Sequence, residues 1–591
     1  MNTSSTSSET GPGDASGPAA GTASAPGTGP APGTAPAAAP VRRSGAASSA
    51  IMASGTLVSR VLGFVKAVLI TVAVGSVTTV ADVFELANTL PNLIYVLVAG
   101  GIFNAVLVPQ IIKASRNAED QGADYISRLL TLAVLALLGV AAVVVVLAGP
   151  IIRLMGTDWD DGMLALGTTF ALFTFPQLFF YGLYTVVGQV LNAKGAFGAY
   201  MWAPVLNNVV AIAGLLVFVQ QFGAYQQDPH TLENWTVGKT LWLAGTATLG
   251  VVLQALILFL PLRRLGMGLR PRFGWRGIGL STAARLGGWT LATGVIANLA
   301  FLVLTKVAAI PTGYRPEHLA MDPPQQIAGV TALNQASMLY SLPHGVIGLS
   351  IATVLFNRMA AAATEGDRAG MVASLSSSLR ITGVATVFAA VALVVYAGPL
   401  GMLFSGGVPS AGAVVGQVVA VIAIGAPFMS TSFMLGRAFY AQEDARTPFL
   451  VQIGVAVFTV ACAAAIWAFV APEHMIFAVA GCYAAQNVLS TLLYHRVLVR
   501  RVGDYDVARV LDSHARILAA ALLAGAAGAV VLHLLGGYDP AGFAWGSQLT
   551  AVVVLAVGGT AMGAVYLVAL RLCRVEELGS LLRPVLARLG R

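Results

Sequence analysis

The sequence predicts an all-α polytopic membrane protein: 14 transmembrane helices, in two parallel six-helix repeats followed by two C-terminal helices. Three observations predict it. Of the 591 residues, 57% are hydrophobic and only 10% are charged, with a mean hydropathy of +0.80; soluble domains carry about a quarter charged residues. Apolar runs of about 20 residues, enough to cross a bilayer, recur along the chain. Two local landmarks also return at an offset of about 250 residues.

Residues 1–47 are Gly, Ala, Pro, Ser and Thr with almost no large apolar side chain. Such a composition cannot bury a core, so a disordered cytoplasmic tail is expected. It does not read as a signal peptide, because Arg42 and Arg43 come late and no cleavage site follows a short apolar core. The expected spans then run over 49–75, 81–112, 126–152, 163–193, 197–222 and 237–262 in an N-terminal lobe, residues 48–265. They continue over 283–310, 326–360, 377–404, 411–441, 447–471 and 474–498 in a C-terminal lobe, residues 266–505. Residues 506–591 add spans 514–536 and 546–571 and a short tail.

Charge sets the orientation. Of the 33 Lys and Arg, 27 fall in the N-terminal tail, the even-numbered connections, the C-terminal tail or the span ends that adjoin them. The odd-numbered connections hold only Arg153, Lys239 and Arg315, alongside nine acids. The positive-inside rule then puts both termini in the cytoplasm. Basic residues scattered through short loops do not describe a nucleic-acid surface. Cys462, Cys482 and Cys573 lie in apolar runs without metal-ligand spacing. No connection is long enough to hold a soluble catalytic domain, and there is no phosphate-binding loop or nucleophile triad. An enzyme is not expected, nor a metal or bound cofactor.

The repeat rests on two pairs of landmarks. Leu90-Pro91-Asn92 in the second span pairs with Leu342-Pro343-His344 in the eighth, 252 positions later. The fourth span ends at Asn192-Ala193-Lys194-Gly195 and the tenth at Tyr440-Ala441-Gln442-Glu443, about 248 positions later. An offset of six helices keeps the orientation, so the halves are parallel repeats around a shared cavity. Pro91, Pro176 and Pro343 bend their helices and free backbone carbonyls.

A charge at depth in a membrane costs at least a few kcal/mol and should face a cavity or a partner. Arg60, Lys66, Asp82, Glu85 and Lys306 lie within spans, and His344 joins them if protonated. Arg60 and Lys66 are six residues apart, about 9 Å along a helix, with Gly63 between them to admit a close neighbour or ligand. A guanidinium fork and an ammonium together suit an anionic group such as a phosphate or pyrophosphate. The competing reading is an internal pairing with Asp82 and Glu85. Those two acids share a helical face, either as an outer gate closing over Lys66 or as solvated helix-end acids. Lys306, read as near the outer end of the seventh span, should snorkel to the surface. His344 reads either as a neutral hydrogen-bonded histidine or as the carrier of a coupling proton.

These residues carry a resemblance. Ser59-Arg60-Val61-Leu62-Gly63-Phe64-Val65-Lys66, then Ala81-Asp82, Leu90-Pro91-Asn92-Leu93, Gly101-Ile102-Phe103 and Val108-Pro109, resemble the opening helices of the MurJ/MviN lipid II flippases. Tyr440 to Pro448 resembles that family's second-half signature. The resemblance implies the fold of the multidrug/oligosaccharidyl-lipid/polysaccharide exporter superfamily. It implies as substrate the undecaprenyl-pyrophosphate-linked peptidoglycan precursor, lipid II, moved from inner to outer leaflet by alternating access. Membrane lipids and cell-wall synthesis or division proteins are the other implied partners, and coupling to an ion or to membrane potential is open. By the same resemblance Ser59, Arg60, Lys66, Asp82 and Asn92 line the cavity. Lys66 stands where an Arg is usual. Tyr95 and Gly100 replace a cation and an acid, and Ser337-Met338 replace an Asp-Arg pair. Two other functions fit the same helices: an ion-coupled small-molecule exporter of the superfamily, or a non-transporting membrane scaffold for cell-wall synthesis.

Overall fold

In hydrocarbon a backbone can satisfy its own hydrogen bonds only as helix or closed barrel, and the described residues contain helices and no strand. The computed structural model describes residues 45–96, 122–274, 280–345 and 349–579. Expectations for the tail up to residue 44, for Gly100 to Pro109 and for the last twelve residues lie outside that set.

The first half comprises α1 (Gly45–Val74), α2 (Thr79–Tyr95), α3 (Ala123–Val146), the short α4 (Ala148–Met155), α5 (Asp161–Thr174), α6 (Gln177–Ala193), α7 (Phe197–Phe222) and α8 (Val237–Arg264). The second comprises α9 (Leu280–Leu319), α10 (Val330–Pro343), α11 (Leu349–Thr364), α12 (Arg368–Val395), the short α13 (Ala397–Leu403), α14 (Pro409–Ala423), α15 (Ala426–Ala441), α16 (Arg446–Phe469) and α17 (Pro472–Val502). After these come α18 (Val507–Leu534) and α19 (Gln548–Leu572). Twelve helices among the described residues are long and apolar enough to cross a membrane, with α5–α6 and α14–α15 each counted as one bent helix. They fall on twelve of the expected spans. The second and eighth expected spans fall on α2 and on α10–α11, both of which adjoin residues outside the described set.

The two halves repeat their local chemistry. After α6, Ala196 N–H donates to Leu191 O and Gly195 N–H to Asn192 O; after α15, Asp444 N–H donates to Phe439 O and Glu443 N–H to Tyr440 O. Donors and acceptors in the two turns are 248 positions apart. Gly195 (φ 78°) and Glu443 (φ 59°) take the same left-handed backbone, which glycine adopts freely and other residues rarely. In the second turn Asp444 compensates by capping α16. Its carboxylate accepts from Arg446 N at 2.9 Å, Thr447 N at 3.0 Å and Thr447 Oγ1 at 2.6 Å, and it pairs with Arg501. Burial opposes that charge, but the bonds from Thr447 and Arg501 outweigh it and hold the carboxyl below its ordinary range.

Packing distinguishes the two ends of the molecule. One core runs across both halves, taking in Val83 and Phe84 of α2, Phe170 of α5, Ala308 of α9 and Leu333 of α10. At the other end each half keeps its own core: Ile126, Val187 and Leu258 in the first, Met359, Phe439 and Leu498 in the second. The α13–α14 crossing depends on missing side chains, since a Cβ on Gly416 would lie 2.5 Å from Ala397 O and 2.9 Å from its carbonyl carbon.

Two expectations about the seventh span are corrected. Pro311, Pro316 and the polar Gly-Tyr-Arg-Pro-Glu-His stretch read as a helix end at 310, but α9 continues through both prolines to Leu319. Arg315 is therefore a fully buried helical residue rather than a loop residue. Lys306 lies more than three turns from the end of α9, half-buried, and not within a turn or so of it.

Gly416→Val should lower the melting temperature in detergent well below that of Gly559→Val, a span position whose Cβ would meet nothing within 4 Å. Equal melting temperatures would contradict the close crossing.

Candidate functional site

The first turns of α2 fix the closed end of the site. Thr78 caps the helix by accepting from Ala81 N at 3.1 Å, and Asp82 sits in the first turn, where the helix dipole favours an anion. The Asp82 carboxylate is completely buried and fully engaged by the second half. It accepts from Arg315 Nη2 at 2.5 Å, Thr312 Oγ1 at 3.0 Å and Thr331 N at 2.8 Å. Arg315 also donates to Ile327 O at 3.1 Å. One turn further along α2, Glu85 accepts from Asn334 Nδ2 at 2.9 Å and Thr89 Oγ1 at 3.3 Å. Trp159 Nε1 donates to Ala309 O at 2.8 Å, and Gln226 Nε2 to Gly407 O at 3.2 Å. Phe64 meets Phe404 edge to face at 5.2 Å. These links tie the two halves together at the end where their core is shared.

Behind this closure lies a cavity of about 640 Å³ between α1, α2 and α10. Arg60, Gly63, Ala67 and Ile70 form one stripe of α1 on its wall, with Lys66 beside them. Glu85 and Asn88 come from α2, and Thr331, Asn334, Gln335, Met338, Ser341 and Leu342 from α10. Pro343 ends α10, and a π turn at His344–Gly345 presents the imidazole to the cavity; turns of this kind are common at functional sites. A methyl group on Gly345 would overlap the Arg60 guanidinium, so the missing side chain is what lets Arg60 reach across to the second half. His344 Nδ1 lies 3.0 Å from Ser430 Oγ, and its ring packs edge to face on Phe433 at 4.9 Å.

The sequence-predicted residues separate into two groups. Arg60, Lys66, Glu85 and His344 come together on one cavity. Ser59, Asn92 and Asp82 are not on its wall. Ser59 accepts from Asn208 Nδ2 through its carbonyl at 2.8 Å and its hydroxyl at 3.3 Å. Asn92 is exposed, one turn beyond Asn88 on α2. Asp82 belongs to the closure, and its partner is Arg315 rather than Lys66. Among the described residues no salt bridge joins Arg60 or Lys66 to either acid, although Lys66 and Glu85 are near enough to attract each other across the cavity. Gly63 faces open cavity: a Cβ there would approach only Asn208 Nδ2, at 3.8 Å. Sequence reasoning missed Asn88, Asn334, Gln335 and Arg315. Asn88 was legible, three residues after Glu85 on the same face. Arg315 carried no signal, because its neighbours spell a loop.

A second, apolar groove of about 950 Å³ runs along α12, α15, α17 and α18, past Val391, Phe428, Leu492 and Leu522. Of the two C-terminal helices, α18 lines this groove. Helix α19 packs against α18 through a separate core that includes Met562 and Tyr566.

Comparison with known proteins adds three findings. A family model described as lipid II flippase MurJ matches residues 72–549, a stretch that begins after Arg60 and Lys66. The chain is similar to a lipid II flippase MurJ from Burkholderia cenocepacia, 30% identical over 422 residues covering 68% of this chain and 75% of that one. It is similar also to a probable lipid II flippase MurJ from Rhizobium meliloti, 29% identical over 421 residues covering 68% and 71%. Among solved structures, a lipid II flippase MurJ in an inward closed conformation superposes with TM-score 0.65 at 16% identity, covering 88% of this chain and 99% of that one. An inward-facing multidrug resistance transporter of the MATE family gives 0.60 at 15%, covering 76% and 96%. At these identities the structural likenesses speak for the fold.

Asp82→Asn should destabilise the protein in detergent by about 3–5 kcal/mol, because it strands a buried guanidinium. Asp82→Leu combined with Arg315→Met should recover most of the loss. Thermal unfolding of these two variants beside the wild type checks this, and an unchanged midpoint for Asp82→Asn would deny the closure its central bond.

Proposed function

The chain belongs to the lipid II flippase MurJ family, and from that premise we propose that it carries undecaprenyl-pyrophosphate-linked peptidoglycan precursor from the inner to the outer leaflet. It is a multi-pass protein of the bacterial plasma membrane. The observation that carries the reading is the pairing of Arg60 and Lys66 on a cavity between two halves that are closed on each other at one end.

In this proposal α2 and the α10–α11 pair complete a set of fourteen spans, and both termini are cytoplasmic. The lobes are residues 48–265 and 266–505. The Asp82–Arg315 closure then faces outward, and the cavity fills from the cytoplasm. The pyrophosphate pairs with the Arg60 fork and the Lys66 ammonium. The lipid tail stays in the bilayer, with the apolar groove beside α18 as its path. Exchange of the closure from one end to the other moves the head group across, and bent helices such as α2 and α10 allow that motion. His344, which bridges to Ser430, is proposed to carry a coupling proton if the drive is a proton gradient.

Arg60→Ala should abolish growth of a strain depleted of its own flippase, and the precursor should become inaccessible from outside. Normal growth with normally exposed precursor would remove Arg60 from the mechanism. The topology has a separate check. A fluorescent protein fused after Leu572 should mature, and alkaline phosphatase inserted at Asp158 should be active; the reverse pattern would invert the orientation.

A further inference from the structure

The second half contains a cavity of about 860 Å³ that is distinct from the one at Arg60 but shares His344 with it. A space of this size suits a ligand of a few hundred daltons. Its wall is polar without being acidic. Asn298, Gln452 and Asn487 supply amides, Ser490 a hydroxyl and Tyr494 a phenol, and among the described lining residues none is a carboxylate. Some of these groups are already committed: Asn487 Nδ2 donates to Tyr340 Oη at 2.7 Å, and Asn298 Nδ2 to Gly294 O at 2.8 Å. Gln452 and Tyr494 make no hydrogen bond to another described residue.

Among the described lining residues the one permanent charge is Arg437 of α15. Its guanidinium lies over two rings, 4.8 Å from the Phe433 centroid and 5.2 Å from that of Phe356. Among the described residues it has no ion pair and no hydrogen bond. Two aromatic faces hold the planar group still while its edge N–H donors remain uncommitted. A half-buried cation without an acid is poorly compensated by the protein itself; a ligand bearing a carboxylate supplies what is missing. A wall with one fixed cation and no acid repels a metal ion. Amides, a free phenol and aromatic faces instead suit sugar hydroxyls, the apolar faces of sugar rings and peptide groups.

We propose that this cavity binds the sugar–peptide portion of the transported head group, with Arg437 pairing a peptide carboxylate, while the pyrophosphate rests on Arg60 and Lys66 beyond His344. The proposal rests on the flippase reading above and assigns it a second, chemically different subsite.

The test uses the full-length protein in detergent and two soluble probes, N-acetylmuramyl-L-alanyl-D-glutamate and inorganic pyrophosphate, with binding followed by titration calorimetry. Arg437→Gln should weaken the sugar–peptide probe about tenfold and erase the preference for its free acid over its amide, leaving pyrophosphate untouched. Gln452→Ala should weaken the same probe without changing that preference, and Arg60→Ala should lose only pyrophosphate. Sugar–peptide binding that is equal in wild type and Arg437→Gln overturns the proposal, as does a wild type that binds pyrophosphate and not the sugar–peptide. The flippase reading is judged separately, by leaflet exposure of the precursor after depletion of the protein. Unchanged exposure together with Arg437-dependent probe binding would sink that reading and keep the subsite.

Discussion

A carboxylate buried without a partner would ionise only at great cost, and Asp82 escapes that cost only because the opposite half of the molecule supplies Arg315, Thr312 and the Thr331 amide. The rest of the arrangement follows from this dependence. The first half cannot bury Asp82 alone, nor the second Arg315, so the halves are driven together at one end. Glu85 with Asn334, and Trp159 with Ala309 O, extend the same seam. The cavity is what remains between the halves on the other side of it.

Such a closure suits movement better than an apolar seam of equal area. Its members are polar and charged, so each can be received by water or by an anionic ligand once the halves part. Packing shows where the parting falls: the core is shared at the Asp82 end and separate at the other. Parting the halves at the Asp82 end would break these bonds and uncover the shared core, while the private cores at the other end stay whole. The short turns after α6 and α15, with their matching hydrogen bonds, keep each half's own helices in register.

Much of this was legible in the sequence. Twelve spans followed from apolar length, because a bilayer sets that length without reference to neighbours. The 248-residue offset predicted two turns that share their hydrogen bonds down to the left-handed residue. The depth argument found Arg60, Lys66, Glu85 and His344, since charge in hydrocarbon requires an explanation wherever it occurs. The partner of Asp82 was not legible. Lys66 was one candidate, whereas Arg315, 233 positions away, could be matched to Asp82 only by the fold. Arg315 was also hidden by its prolines, which mark helix ends in water but are tolerated where neighbouring helices take up the freed backbone groups. Arg437 escaped notice for a related reason: it lies four residues from the end of its helix, where an arginine is expected to reach the surface, and only the two phenylalanine rings show that it does not.

One side chain, His344, forms part of the wall of both cavities. A group in that position cannot respond to an occupant on one side without altering the other. Whatever free energy a ligand at Arg60 spends or gains by moving the imidazole, a ligand at Arg437 meets in equal measure, because coupling between two sites is reciprocal. The two cavities are in this sense one thermodynamic unit, and a head group long enough to occupy both would be recognised by its length as well as by its chemistry.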